Sequence, residues 1–156
     1  MVIMGIGNPM RRDDAVGLEL ARALRNKVPS SVVVLECGPV PENFLGKIVE
    51  ARPTHVLMVD AALLGLEPGE ARLVRPEEAL GIAISTHRLP PNLLADYIRR
   101  STGAKVAILA IQPSEVGLGE GLSPGVEEAV GRLAEDVLQV IHRVLGPRSR
   151  PGVPRA

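Results

Sequence analysis

Short apolar runs alternate along this chain with segments whose apolar residues recur every three to four positions. The runs predict strands: VIMGI at 2–6, SVVVLEC at 31–37, THVLMVDAA at 54–62 and KVAILAIQP at 105–113, with EARLV at 70–74 as a short edge strand. The periodic segments predict helices. One starts near Asp14 and carries Val16, Leu20, Leu24 and Val28 four apart on one face. A second holds Phe44, Leu45, Ile48 and Val49 and stops before Pro53; a third, after the polar loop ISTHRLPPN, holds Leu93, Leu94, Tyr97 and Ile98. The last takes Ser123 as N-cap and Pro124 as first residue, and is apolar at 126, 129, 130, 133, 137, 140, 141 and 144. Strands alternating with helices indicate a mostly parallel sheet covered by helices. Residues 146–156, GPRSRPGVPRA, have no apolar periodicity and are expected to form a flexible tail on a single domain of residues 1–145.

Composition narrows the function classes. The 156 residues are enough for one domain with a real core, and aromatics at 1% leave that core to Val, Leu, Ile and Ala. Eighteen acidic and eighteen basic residues balance, which argues against a nucleic-acid partner held by net charge. Cys37 is the only cysteine, so no intrachain disulfide forms and a reducing compartment fits. No apolar run approaches the roughly 18 residues of a membrane span, and no signal peptide precedes MVIMGIG. The expectation is a cytoplasmic protein without membrane insertion.

In open parallel sheets, ligands bind beyond the carboxyl ends of the strands. Asp14 follows the first strand, Asp60 ends the third, and His87 falls in the loop after the edge strand, with Glu36 at the end of the second strand. Two carboxylates and an imidazole match a three-ligand site for a divalent metal with an open position. Each residue also has a plainer reading. Asp13 reads as the cap of the helix it opens, Asp60 as a hydrogen-bonded turn residue, His87 as a structural loop residue and Cys37 as a small hydrophobe. His55 and His142 read as surface or helix residues. GIGNPM begins like a dinucleotide fingerprint, but Met10 stands where the third glycine is needed. The opening GxGNP is shared with peptidyl-tRNA hydrolases, yet the following RRDDAVG has no histidine and the chain no basic excess, which leaves that reading a remote alternative.

Five ordered blocks carry a more specific likeness: GIGNPMRRDDAVG at 5–17, PEN at 41–43, RPTHVLMVDAALLGLEPGEARL at 52–73, STHRLPPNLL at 85–94 and AIQPSEVGLGEGLSPGVEEAV at 110–130. From Gly5 to about Leu145 the chain resembles the hydrogenase maturation endopeptidases, in particular the hydrogenase 3-type branch. The resemblance implies a three-layer α/β sandwich, with a mostly parallel five-stranded twisted sheet and helices on both faces. It implies an aspartyl-type peptidase that removes a C-terminal peptide from the [NiFe]-hydrogenase large-subunit precursor once nickel has been inserted. The family's metal-contacting and catalytic positions fall on Asp14, Asp60 and His87, with no general base assigned. Where the family often has Asp-Gly this chain has Glu36-Cys37, so Glu36 takes a supporting role. Nickel is expected to come with the substrate, and another divalent metal could replace it in vitro. The alternative from another class is a non-catalytic, metal-sensing binder of immature hydrogenase, which would leave the precursor's length unchanged.

Overall fold

The computed structural model describes residues 1–84 and 89–146. The apolar runs form strands β1 Val2–Ile6, β2 Val33–Gly38, β3 His55–Leu63, β4 Ala71–Val74, β5 Ala83–Ile84 and β6 Lys105–Ile111. They lie in the order β2-β1-β3-β6-β4. The first four of these run parallel, and β4 runs antiparallel along β6. The two-residue β5 pairs antiparallel with Ala62 and Leu63 at the end of β3. Helices α1 Val16–Leu24, α2 Leu45–Ala51, α3 Pro91–Thr102 and α4 Pro124–Leu145 complete the chain.

Strand side chains alternate between faces, and this alternation sorts the core into two clusters. Val2, Met4 and Ile6 of β1, Val56, Met58 and Ala62 of β3, and Val106 and Ile108 of β6 pack with Ile48 of α2 and Leu94, Ala95 and Ile98 of α3. Ile3, Val59, Ala61 and Ile111 point the other way, against Val16, Leu20 and Leu24 of α1 and Val126, Val130, Ala134 and Ile141 of α4. The result is the α/β sandwich expected, with a mostly parallel twisted sheet between two helical layers. Each fully buried aliphatic side chain stabilises it by about 1.5–3 kcal/mol.

Several boundaries differ from the sequence pattern. The first helix does not begin at Asp14: a 3-10 turn, Arg12–Ala15, leads into α1, which ends at Leu24 and leaves Val28 beyond it. Strand β5 overlaps the start of what reads as a polar loop. The long C-terminal helix starts as predicted, at Pro124 behind Ser123. Of the predicted tail, residues 147–156 lie outside the described residues. Among the described residues no helix is long and apolar enough to cross a membrane.

From β1 the chain moves outward to β2 and then returns past β1 to β3. Such a reversal opens a crevice beyond the carboxyl ends of the two central strands, here β1 and β3.

Candidate active site

The loop that leaves β1 enters this crevice through a glycine that no other residue can replace. Gly7 has a φ of +147°, and a Cβ there would stand 2.0 Å from the Asp14 carbonyl oxygen. The chain therefore folds back closely on itself, and the Asn8 N–H donates to Asp14 Oδ2 at 2.9 Å. Arg11 and Asp14 continue the turn through their own N–H groups, which donate to the carbonyls of Asn8 and Arg11. Gly17 then lets α1 settle on the sheet: a Cβ would meet the Val59 carbonyl oxygen at 2.1 Å and that of Ile6 at 2.5 Å. The turn carrying Asp14 thus packs against β3, the strand that carries Asp60.

Asp60 lies one residue beyond Val59, which pairs with Gly5, and so stands level with the last residue of β1. By strand alternation its side chain shares the α2–α3 face with Met58 and Ala62. Its Oδ1 accepts the Ala61 N–H at 2.8 Å. Asp14 and Asp60 are 1% and 3% exposed, so both carboxylates are held out of bulk water, in surroundings where an isolated charge is costly. The structure brings these two predicted residues onto adjoining elements at one edge of the sheet. The third, His87, lies outside the described residues. Among the described residues no group of three or more His, Cys, Asp and Glu side chains stands ready to hold a metal ion.

Glu36 is placed differently. It follows Val34 on the α1 side of β2, and its Oε1 meets Arg25 Nη1 at 3.4 Å and Arg22 Nε at 3.6 Å. It ties α1 to β2, on the face opposite Asp60. Cys37 is buried in the α2–α3 cluster, and burial pushes its thiol up to about 12 against the weaker opposing charge of Lys47. A thiol so protonated at neutral pH is neither a ready nucleophile nor a ready ligand.

Asp13 does not cap the helix it opens. Its Oδ2 accepts the N–H groups of Ser114 and Glu115, both at 2.9 Å, and the Ser123 hydroxyl at 2.8 Å; its Oδ1 accepts the Ser123 N–H at 2.7 Å. One carboxylate thereby fixes both ends of the loop from β6 to α4. A similar device holds the exit of β3. Gln112, just beyond β6, accepts the Leu64 N–H at 2.7 Å through Oε1 and donates to the Pro113 carbonyl. Asp13's partners lie about a hundred residues away, where no local pattern points to them. Gln112 carries a signal like that of Asp60, a polar residue set in or just beyond a buried apolar run.

Known proteins resemble this chain in both sequence and fold. The family model described as hydrogenase maturation protease matches residues 16–140. The hydrogenase 3 maturation protease of Escherichia coli K12 is 37% identical over 130 residues, covering 83% of each chain. The crystal structure of a [NiFe] hydrogenase maturation protease from Thermococcus kodakarensis superposes with a TM-score of 0.82 at 40% identity over 90% of each chain. The solution structure of an E. coli endopeptidase of the same type gives 0.76 at 32% identity, covering 99% of this chain and 98% of the other. On these matches the chain belongs to the hydrogenase maturation protease family, in its hydrogenase 3-type branch, and is an endopeptidase of that class.

Proposed function

We propose that this endopeptidase removes a C-terminal peptide from the large-subunit precursor of a [NiFe]-hydrogenase, and that the nickel already inserted in that precursor is its recognition element. Residues 1–145 form the catalytic domain. The observation that carries the reading is the pair of buried carboxylates, Asp14 and Asp60, on adjoining elements at the crevice between β1 and β3. Two carboxylate oxygens suit a hard or borderline divalent cation, and His87 supplies a nitrogen donor of the kind nickel favours. Two acids and one imidazole leave coordination positions open, so the site is completed only when the substrate brings its own metal and ligands.

In this scheme the protein's residues orient the metal-bearing segment of the precursor, while Glu36 keeps α1, and with it the Asp14 turn, fixed to the sheet. A precursor without nickel offers no positive charge to the two carboxylates and docks poorly. Another divalent ion of similar size supports cleavage in vitro to the extent that it reproduces that charge.

Matched precursors with and without nickel test the proposal, with the mass of the large subunit as readout. Wild-type protein is expected to shorten only the nickel-loaded form. Equal cleavage of both would overturn nickel recognition, and an unchanged mass in both would mean that the protein binds immature hydrogenase without cutting it.

A further inference from the structure

Peptide hydrolysis needs a base for the attacking water, and the acids placed so far are engaged elsewhere. Asp13 is saturated by four donors. Asp14 and Asp60 each accept a backbone N–H and, in the proposal above, face the substrate's cation, which makes a carboxylate a poor base. Glu36 is ion-paired. Glu42 is different. Its Oε2 is buried and, among the described residues, has no hydrogen-bond partner. A buried acceptor left unpaired costs stability, so a folded chain that keeps one requires a reason for it.

Its place in the fold supplies the reason. Glu42 belongs to the 3-10 turn Pro41–Phe44 that follows β2. Phe44 and Leu45 pack on the cluster that contains Met4, Ile6, Met58 and Ala62, so this turn covers the same face of the sheet as the Asp60 side chain. It also lies at the same edge. Ile6 pairs with Gly38, the last residue of β2, and Asp60 is level with Ile6, so β2, β1 and β3 all reach the crevice in one row. The Gly7 N–H donates to the Gly38 carbonyl at 3.0 Å and locks the loop before Glu42 to the loop before Asp14.

We propose that Glu42 is the general base of the cleavage, a reading that depends on the endopeptidase function above and adds a residue to it. In the complex with precursor its Oε2, closed off from solvent in the free protein, accepts a hydrogen bond from a water molecule. As the water oxygen bonds to the scissile carbonyl carbon, Glu42 takes one of its protons. It returns that proton to the amide nitrogen while the C–N bond breaks. The large subunit is left with a new carboxyl group, whose proton passes to solvent, and the released peptide with an amino group. Glu42 ends as it began.

The test uses the full-length protein and nickel-loaded precursor. Glu42→Gln keeps size and shape but cannot take a proton, and is expected to lower kcat by about 10²–10⁴-fold with KM and Tm near wild type. Glu42→Ala removes the unpaired oxygen outright and is expected to melt no lower than wild type. Added formate, a small carboxylate, is expected to restore part of the cleavage by Glu42→Ala and none of that by Asp14→Asn. Wild-type kcat in Glu42→Gln, a loss confined to KM, or a loss of Tm in both variants that accounts for the lost activity would each overturn the assignment. So would the absence of formate rescue. These outcomes are separate from failure of the function itself, in which wild-type protein would leave nickel-loaded precursor uncut.

Discussion

Asp13 and Asp14 are adjacent, chemically identical and both buried, at 0% and 1% exposure, yet they serve two different regions. Asp13 turns towards the loop between β6 and α4 and meets four donors there. Asp14 turns towards the crevice, where, among the described residues, its carboxylate accepts one backbone N–H, from Asn8. The first region is a clamp, in which every feature of the carboxylate is used up by the fold. In the second the carboxylate keeps acceptor capacity for something outside the chain. Burial alone does not mark a functional acid; the number of donors already spent on it does.

The largest effect that could break this comparison is on catalysis. Asp14→Asn and Asp60→Asn each preserve an oxygen for the N–H that the native carboxylate accepts, from Asn8 and Ala61 respectively, while removing the charge. Cleavage of nickel-loaded precursor is expected to fall more than ~100-fold, beyond what loss of an outer partner costs a metal site, with Tm close to wild type. Full cleavage by either variant, read by large-subunit mass, would take that residue out of the site.

The converse holds for Asp13→Asn. Three donors converge on Oδ2 and one on Oδ1, so either orientation of the amide sets an NH₂ group against an N–H or O–H. Hydrogen bonds to a charged group contribute about 1.5–3 kcal/mol each and do not add fully, so a loss of about 3 kcal/mol is expected. For a chain of this size that lowers Tm by about 6–12 °C. The folded fraction should still cut precursor. A variant that melted like wild type but could not cleave would mean that Asp13, too, belongs to the chemistry.

The same contrast explains what the sequence could and could not disclose. Five strands announce themselves as apolar runs, and Asp60 stands out as a carboxylate in one of them. It does not end the strand as expected, because β3 pairs with β6 through Ala61 and runs on to Leu63. Ser123 and Pro124 mark the start of α4 by their residue types alone. Asp13 could not be read in this way. From its neighbours it resembles a helix cap, because its partners at 114, 115 and 123 come close only after β6 has joined the sheet. The 3-10 turn that replaces the expected start of α1 has a similar origin. The Arg12 N–H donates to the Gly119 carbonyl, and Gly119 N–H to that of Met10, which holds Arg12 at a φ of +45°. Such a conformation is set by a distant loop and leaves no local periodicity. Strand β5, with two residues, is too short for alternation to appear at all. Glu42 lies in a block that identifies the family, but only its burial without a partner gives it a role.

The smallest expected effect concerns a carboxylate at neither the clamp nor the crevice. Glu77, in the 3-10 turn Pro76–Gly81, accepts a hydrogen bond from Arg99 of α3 and joins that turn, which comes before β5 and residues 85–88, to the helix after them. The Arg99 hydrogen bond is the main cause holding the Glu77 carboxyl below its ordinary value of 4.5. A carboxylate whose pKa is depressed by folding contributes stability above its unfolded pKa and loses it as pH falls through the folded value. The group is fully exposed, so water and salt screen most of that contribution. Glu77→Gln is therefore expected to lower Tm by no more than about 2 °C at pH 7 in low salt. The difference should vanish both as pH falls through the depressed Glu77 value and at high ionic strength, with cleavage of precursor unchanged throughout. A loss of cleavage without a matching loss of Tm would show that this exposed pair sets the position of the segment between its two elements, and would extend the functional region from the crevice to its outer rim.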